Sequence, residues 1–186
     1  MKGGLLKMKV EKVDVKIEGV APLLMNKFTD TSQLNVGSVR GKKLYNPAEE
    51  AEKKTYRTSD GKLCLPNTHF KASMIKAGSD IKISGRKTCK EFIKSGVFIL
   101  PEEIILDQQQ YEIHSEPVVI QRARVMSWRP KFKIWSCSFE IEITDDGWLN
   151  PSLVKLVLEA AGRFKGVGDH RPEYGRFKVT EFKVRK

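Results

Sequence analysis

Side chains that could contact a nucleic acid are concentrated in residues 121–135, QRARVMSWRPKFKIW. This stretch holds Trp128 and five cations, and the chain has no acidic residue between positions 117 and 139. The cations are Arg122, Arg124, Arg129, Lys131 and Lys133. Because such cations neutralise phosphates and an exposed indole stacks on any base, the pattern predicts sequence-tolerant binding to a single strand. The alternative is that Arg122 and Arg124 form the solvent face of an amphipathic strand and that Trp128 packs on the sheet.

A second candidate is the glycine-rich stretch 162–176, GRFKGVGDHRPEYGR. Glycines such as Gly166 and Gly168 let a backbone approach a phosphate closely, and His170 and several cations could contact it. These cations are Arg163, Lys165, Arg171 and Arg176. Alternatively, the stretch is a helix end and turn whose shape is held by an ion pair between Asp169 and a neighbouring arginine. The residues alone favour neither interpretation.

Residues 28–62 are mostly polar and are interpreted as a basic insertion rather than as core. Arg40, Lys42 and Lys43 are its candidate phosphate contacts, and Tyr45 and Tyr56 lie among its cations. Its segment PAEEAEKKTYR is predicted to be helical, with a proline in the first turn. A further cluster, Arg86, Lys87, Lys90 and Lys94, follows the first core helix. Such charge runs are usually solvated faces.

Three histidines are candidates for acid–base chemistry. Only His170, beside Asp169 and near Tyr174, has a suggestive setting, whereas His69 and His114 are expected to be surface or core-edge residues. The single C-x4-H pair of Cys64 and His69 supplies only two ligands, whereas a zinc site needs four. The sequence has no phosphate-binding GxxxxGK[ST] loop and no nucleophile elbow. We therefore expect no enzyme, no metal and no cofactor.

Bulk properties agree with a nucleic-acid partner. The 186 residues carry a formal net charge of +11, with a pI near 9.6, which favours contact with polyanions. Three separated cysteines without a CxxC pair indicate reduced thiols. Because the sequence has no signal-peptide core and no membrane-length apolar run, we expect a cytoplasmic protein with no membrane partner.

Residue periodicity places these features on predicted elements. We predict a strand over 7–20 with a bulge between Val10 and Val13, a helix with Asn67 or Thr68 as its N-cap, and a helix over 151–161 capped by Asn150. Residues 116–127 and 132–143 are predicted to form a hairpin whose turn, 127–131, carries Trp128. A final strand is predicted after the glycine-rich loop. Residues 90–106 are predicted to form a short helix that is followed either by edge strands or by a loop.

Without the insertion and this middle stretch, the predicted order is strand, helix, strand, strand, helix, strand. This order predicts one α+β domain over 1–186 with a ferredoxin-like βαββαβ antiparallel sheet, helices on one face, and the insertion after the first strand. In RNA-recognition modules the open face of such a sheet stacks bases on aromatic side chains.

That order, the glycine-rich loop before the last strand and the insertion after the first resemble the RAMP superfamily of CRISPR RNA-binding proteins, especially the backbone subunits that polymerise along guide RNA. The stretches LPNTHFKASMIKAG, SWRPKFKIW and AGRFKGVGDHRPEYGRF also resemble segments of proteins from phage and prophage genomes. The resemblance implies that the hairpin is a protruding thumb and that residues 28–62 are a finger-like insertion. Both would grip nucleic acid.

Three functions follow. The first is binding of single-stranded RNA or DNA by its backbone, with the chain acting as a possible side-by-side homo-oligomer in a phage or CRISPR-like context. The second is a protein-interaction module that docks on an acidic partner. The third, implied by the resemblance, is a metal-independent ribonuclease.

Overall fold

A computed structural model describes residues 9–28, 46–120, 122–145 and 147–185. The described elements, in chain order, are β1 (Lys9–Gly19), β2 (Leu23–Leu24), α1 (Pro47–Lys53), β3 (Cys64–Pro66), α2 (Asn67–Gly78), β4 (Lys82–Ser84), β5 (Lys87–Thr88), α3 (Lys90–Gly96), β6 (Val97–Leu100), β7 (Glu103–Ile105), β8 (Glu112–Ile120), β9 (Ala123–Phe132), β10 (Ser136–Asp145), α4 (Pro151–Phe164) and β11 (Phe177–Val184). The fold is α+β with antiparallel sheets. No helix in these ranges is long and apolar enough to cross a membrane.

The main sheet has four strands in the order β11-β1-β10-β6, all antiparallel. Alternate residues of β1 and β10 are buried, as the period-two pattern predicts, and Val15 and Phe139 pair on that face. Helices α2 and α4 pack against each other, and α4 contacts β11 while α2 contacts β6. The core therefore lies on the helix side, and the opposite face of the sheet is open.

The strand that follows β1 in chain order in this sheet is not the predicted one. It is β6, whose Val97 and Ile99 are buried, and not residues 116–127. Residues 112–132 instead form the hairpin β8–β9, which pairs with β2 in a separate three-stranded sheet. Both stretches have strand character, and only the pairing with β10 distinguishes them.

The predicted turn at 127–131 is also wrong. These residues continue β9, and Trp128 pairs with Ser115 in the middle of the hairpin, whose last pair is Ile120 with Ala123. Pro130 fits inside β9 because it pairs with Ile113 while its own carbonyl accepts from Met25. The hairpin tip is therefore the segment around Arg122, not the segment around Trp128.

One of the two predicted helix N-caps is confirmed and the other is wrong. Asn150 caps α4 as predicted, since its side chain accepts a hydrogen bond from the Leu153 amide at 2.9 Å. The predicted α2 cap is wrong: Pro66 occupies the cap position, and the Asn67 side chain donates to the Ile99 carbonyl at 2.7 Å. The β1–β10 register runs without a shift, so the predicted bulge near Val10 is absent from that pairing.

Candidate nucleic-acid interface

A cavity of about 420 Å³ opens where α2 and α4 end, beside the loop that follows α4. We call it the α2–loop groove. Its lining residues are Lys76, Phe164, Lys165, Gly168, Asp169, His170, Arg171 and Pro172. All of these except Lys76 of α2 belong to the glycine-rich stretch 162–176, and they include four of its predicted contacts, Lys165, Gly168, His170 and Arg171.

The lining of the groove is basic, because it holds Lys76, Lys165 and Arg171 against one acidic residue, Asp169. Asp169 lies 3.1 Å from Nε of Arg129, and Lys165 lies 2.6 Å from Asp80, which is outside the lining. Lys76 and Arg171 are exposed and have no ion pair among the described residues. Two exposed cations beside a neutralised carboxylate suit a phosphate chain.

Phe164 adds an apolar surface to this groove. It is the last residue of α4, is 58% exposed, and lies 5.3 Å from the guanidinium of Arg163. Phe164 is not among the site residues predicted from the sequence. Its signal was an aromatic residue between two cations at the polar end of a helix.

The glycines of the loop serve the fold itself. Gly166, Gly168 and Gly175 all have positive φ. A Cβ on Gly175 would lie 1.7 Å from the Val167 carbonyl oxygen, and one on Gly168 would lie 2.5 Å from that of Leu24. The backbone comes close to its own neighbours here, which favours the structural interpretation of these glycines.

An ion cluster joins the loop to the hairpin. Arg129 of β9, with a side chain only 7% exposed, lies between Glu116 of β8 at 3.2 Å and Asp169 of the loop at 3.1 Å. Nε of Arg129 and Oδ2 of Asp169 are not aligned for a hydrogen bond, so this contact is an ion pair alone. His170 lies 3.4 Å from Glu116. Arg129, a predicted phosphate contact, is instead part of this internal cluster, and Asp169 pairs with this distant arginine rather than with a neighbouring arginine of the loop.

The remaining predicted contacts are dispersed. Lys131 lies 5.7 Å above the Tyr174 ring, Lys133 pairs with Glu112 at 2.8 Å, and Trp128 is half-buried. The exposed residues Arg122 and Arg124 lie at the hairpin tip, and Arg163 and Arg176 are exposed near the loop ends. Gly166 is buried at the end of α4. Arg40, Lys42 and Lys43 lie outside the described residues.

All three histidines contact tyrosine rings. His69 of α2 packs edge-on against Tyr56 at 5.3 Å, while His114 and His170 lie 5.9 and 6.4 Å from the Tyr174 ring. Burial, and secondarily the charge of Arg171, lower the pKa of His69, so its imidazole is neutral at pH 7. Across the described ranges, no group of three His, Cys, Asp or Glu side chains is placed to hold a metal ion.

The open face of the main sheet carries equal numbers of basic and acidic side chains. The basic residues are Lys12, Lys16, Lys178, Lys183 and Arg185, and the acidic residues are Asp14, Glu18, Glu140, Glu142 and Glu181. Most are paired, as Lys12 is with Glu142 at 2.7 Å. Hydrogen bonds from Arg185 lower the pKa of Asp14. This face has a larger depression, of about 800 Å³, but its charges are balanced and it offers little aromatic surface beyond Phe98 at its edge.

No family model and no curated protein matches the sequence. The fold is similar to that of a chain in the cryo-EM structure of the type III-B Cmr-beta bound to cognate target RNA, with a TM-score of 0.56 and 11% sequence identity. The match covers 96% of this chain and 61% of that one. This chain therefore spans less than two thirds of that chain's length, and the likeness concerns the fold.

Proposed function

We propose that this chain binds single-stranded nucleic acid, with RNA as the expected ligand, through phosphate contacts in the α2–loop groove. The observation that carries the proposal is the contrast between two surfaces of one basic molecule. The groove presents exposed cations beside a neutralised carboxylate, whereas the open sheet face is charge-balanced. A polyanion is attracted to the uncompensated surface.

We further propose that the main sheet is a ferredoxin-like core of the RAMP type. If β1, β6, β10 and β11 are its four strands, their order is 4-1-3-2, with α2 and α4 as the two crossover helices. The similar chain comes from a structure bound to target RNA, which supports RNA as the ligand. Assembly side by side along a strand, as in the backbone subunits of that superfamily, is part of the same proposal.

Fluorescence anisotropy with a labelled 12-nucleotide RNA tests the groove. We expect the wild type to bind at 50 mM salt and to lose affinity steeply with added salt. The double substitution Lys76→Ala with Arg171→Ala removes two phosphate contacts. It should weaken binding at least about tenfold at 50 mM salt and reduce the slope of log K against log salt by about 1.4.

The matched control is Lys16→Ala with Lys183→Ala on the open sheet face, which removes the same charge. Equal weakening by both pairs would show that net charge, not the groove, determines binding. No binding by the wild type at 50 mM salt would contradict the proposal, and a stoichiometric protein partner in that case would favour the interaction-module alternative. The same titration with DNA of identical sequence shows whether the 2′-hydroxyl is recognised.

A second candidate function, metal-independent RNA cleavage, is favoured by His170 in the lining of the groove and by His69, whose pKa is lowered by burial and by the charge of Arg171 in the same lining. A neutral imidazole such as that of His69 can accept the 2′-hydroxyl proton while the 2′-oxygen attacks phosphorus. The 5′-oxygen then leaves with a proton from a donor such as His170, giving a 2′,3′-cyclic phosphate and a 5′-hydroxyl end. The Nδ1 atom of His69 is buried and has no hydrogen-bond partner among the described residues.

Incubation of RNA in excess EDTA tests this candidate. Cleavage that is lost in His69→Ala and absent with DNA would support it. RNA that remains intact after long incubation under conditions of full binding would exclude it and leave binding as the function.

A further inference from the structure

The ring of Phe164 lies where the α2–loop groove opens to solvent. It is one of the exposed large apolar side chains of the described residues, and such residues need no explanation when they occur singly. Phe164 differs from the others in its surroundings, because it lines the same cavity as Lys76, Lys165 and Arg171. An apolar ring surrounded by cations suits a ligand that joins a flat apolar group to an anion.

We propose that Phe164 is a stacking site for one unpaired base of the bound strand, an inference that rests on the nucleic-acid binding proposed above. A nucleotide has an aromatic face and a phosphate a few ångströms apart, and the groove has the ring of Phe164 in one lining with the exposed cations Lys76 and Arg171. The cavity of about 420 Å³ lies in the size range of small-ligand sites. An apolar side chain of a protein partner would leave Lys76 and Arg171 without a counter-charge.

Arg163 lies beside the ring of Phe164. Its guanidinium lies 5.3 Å from the ring centroid, a distance typical of cation–π contact. Because bases in a duplex are already stacked on both sides, stacking on Phe164 selects single strands over double strands.

The test compares Phe164→Ala, Phe164→Trp and the matched control Leu156→Ala, which alters a residue of the same helix that is 52% exposed. Anisotropy is measured with a labelled 12-nucleotide RNA, with the same strand containing only abasic sites, and with a blunt duplex. We expect Phe164→Ala to weaken binding of the ordinary strand about 5- to 150-fold, the value of one stacked base. Leu156→Ala should bind like the wild type, and Phe164→Trp should retain binding with quenched tryptophan fluorescence.

The abasic strand and the duplex should bind the wild type and Phe164→Ala equally. If the wild type binds the ordinary strand with an affinity that falls with salt, and Phe164→Ala binds it equally tightly, the stacking site is wrong and groove binding stands. Equal weakening for all three ligands would assign Phe164 a role in the shape of the groove and overturn the stacking site. A wild type that binds none of the ligands would overturn both proposals.

Discussion

Gly175 lies in the loop beside the groove, where the backbone conformation leaves no room for a larger side chain. Gly175 has φ of +73°, and a Cβ there would collide with the Val167 carbonyl, whereas Gly61 has φ of +80° and open space within 4 Å of where its Cβ would lie. Gly61→Ala should therefore lower the free energy of unfolding by about 1–2 kcal/mol, the cost of placing an L-residue in the left-handed conformation. Gly175→Ala should cost several kcal/mol, because the backbone must also move. Urea unfolding measures both, and equal losses would show that the loop adapts freely.

Tyr111 provides a pH-dependent test at the same scale. Burial and the hydrogen bond to Glu52, 2.5 Å long, raise the pKa of Tyr111 to about 12. The unfolded chain releases this proton near pH 10 and the folded chain near pH 12, so stability falls as pH rises between these values. Tyr111→Phe should lose less stability than the wild type from pH 10 to 12 in chemical unfolding. Parallel curves would contradict the shift.

Residue types were predictable from the sequence, but their partners were not. The cations of 121–135 were identified as a group, yet Arg129 is ion-paired inside the molecule while Arg124 of the same strand is exposed. An arginine in a strand has the same local pattern in both cases. Its partner, Asp169, lies 40 positions away in the sequence, and only the tertiary fold brings the two together.

At the scale of elements, local signals succeeded where the element depends on local contacts. Asn150, Pro151 and the apolar stripe of α4 specify that helix within a few residues, and its predicted start is confirmed. The second strand of the main sheet was assigned wrongly because β6 and residues 116–127 are both rich in strand formers. The choice between them depends on pairing with β10, about 40 residues from β6 in the sequence.

The attachment of the hairpin to the loop gives a prediction at this scale. Arg129→Met removes a buried cation and leaves the partly exposed carboxylates of Glu116 and Asp169 without it. We expect a loss of about 1.5–3 kcal/mol and faster amide hydrogen exchange in the middle of β8 and β9.

Lys133→Met removes the same charge beside the hairpin. Its ion pair with Glu112 is exposed on both sides, so the change should cost less than about 1 kcal/mol. If the two variants unfold at the same denaturant concentration, the ion cluster does not hold the hairpin to the loop.

For the whole molecule, the site is composed of segments distant in the chain. Lys76 of α2 and Phe164 at the end of α4 line one groove because the two helices pack together on the sheet. Composition predicted a polyanion ligand, and the glycine-rich loop was identified as a candidate. The position of Lys76 opposite that loop depends on helix packing, for which a single sequence has no local signal.

The hairpin makes a test of the whole molecule possible. Arg124 is five residues from Arg129 along β9, about 17 Å at the rise of a strand, so the tip projects away from the groove-side cluster. A strand bound in the groove reaches Arg122 and Arg124 only if it is long enough, and single-strand sites span about 4–16 nucleotides. Arg122→Ala with Arg124→Ala should therefore weaken binding of a 12-nucleotide RNA and leave a 4-nucleotide RNA unaffected.

The groove pair Lys76→Ala with Arg171→Ala should weaken both lengths, and the sheet-face pair Lys16→Ala with Lys183→Ala should weaken neither. Anisotropy titrations of all three double variants at one salt concentration give this comparison directly. Equal sensitivity of both RNA lengths to the hairpin pair would place the tip inside the primary site. Insensitivity of both lengths would remove the hairpin tip from the binding path and leave the groove as the whole interface.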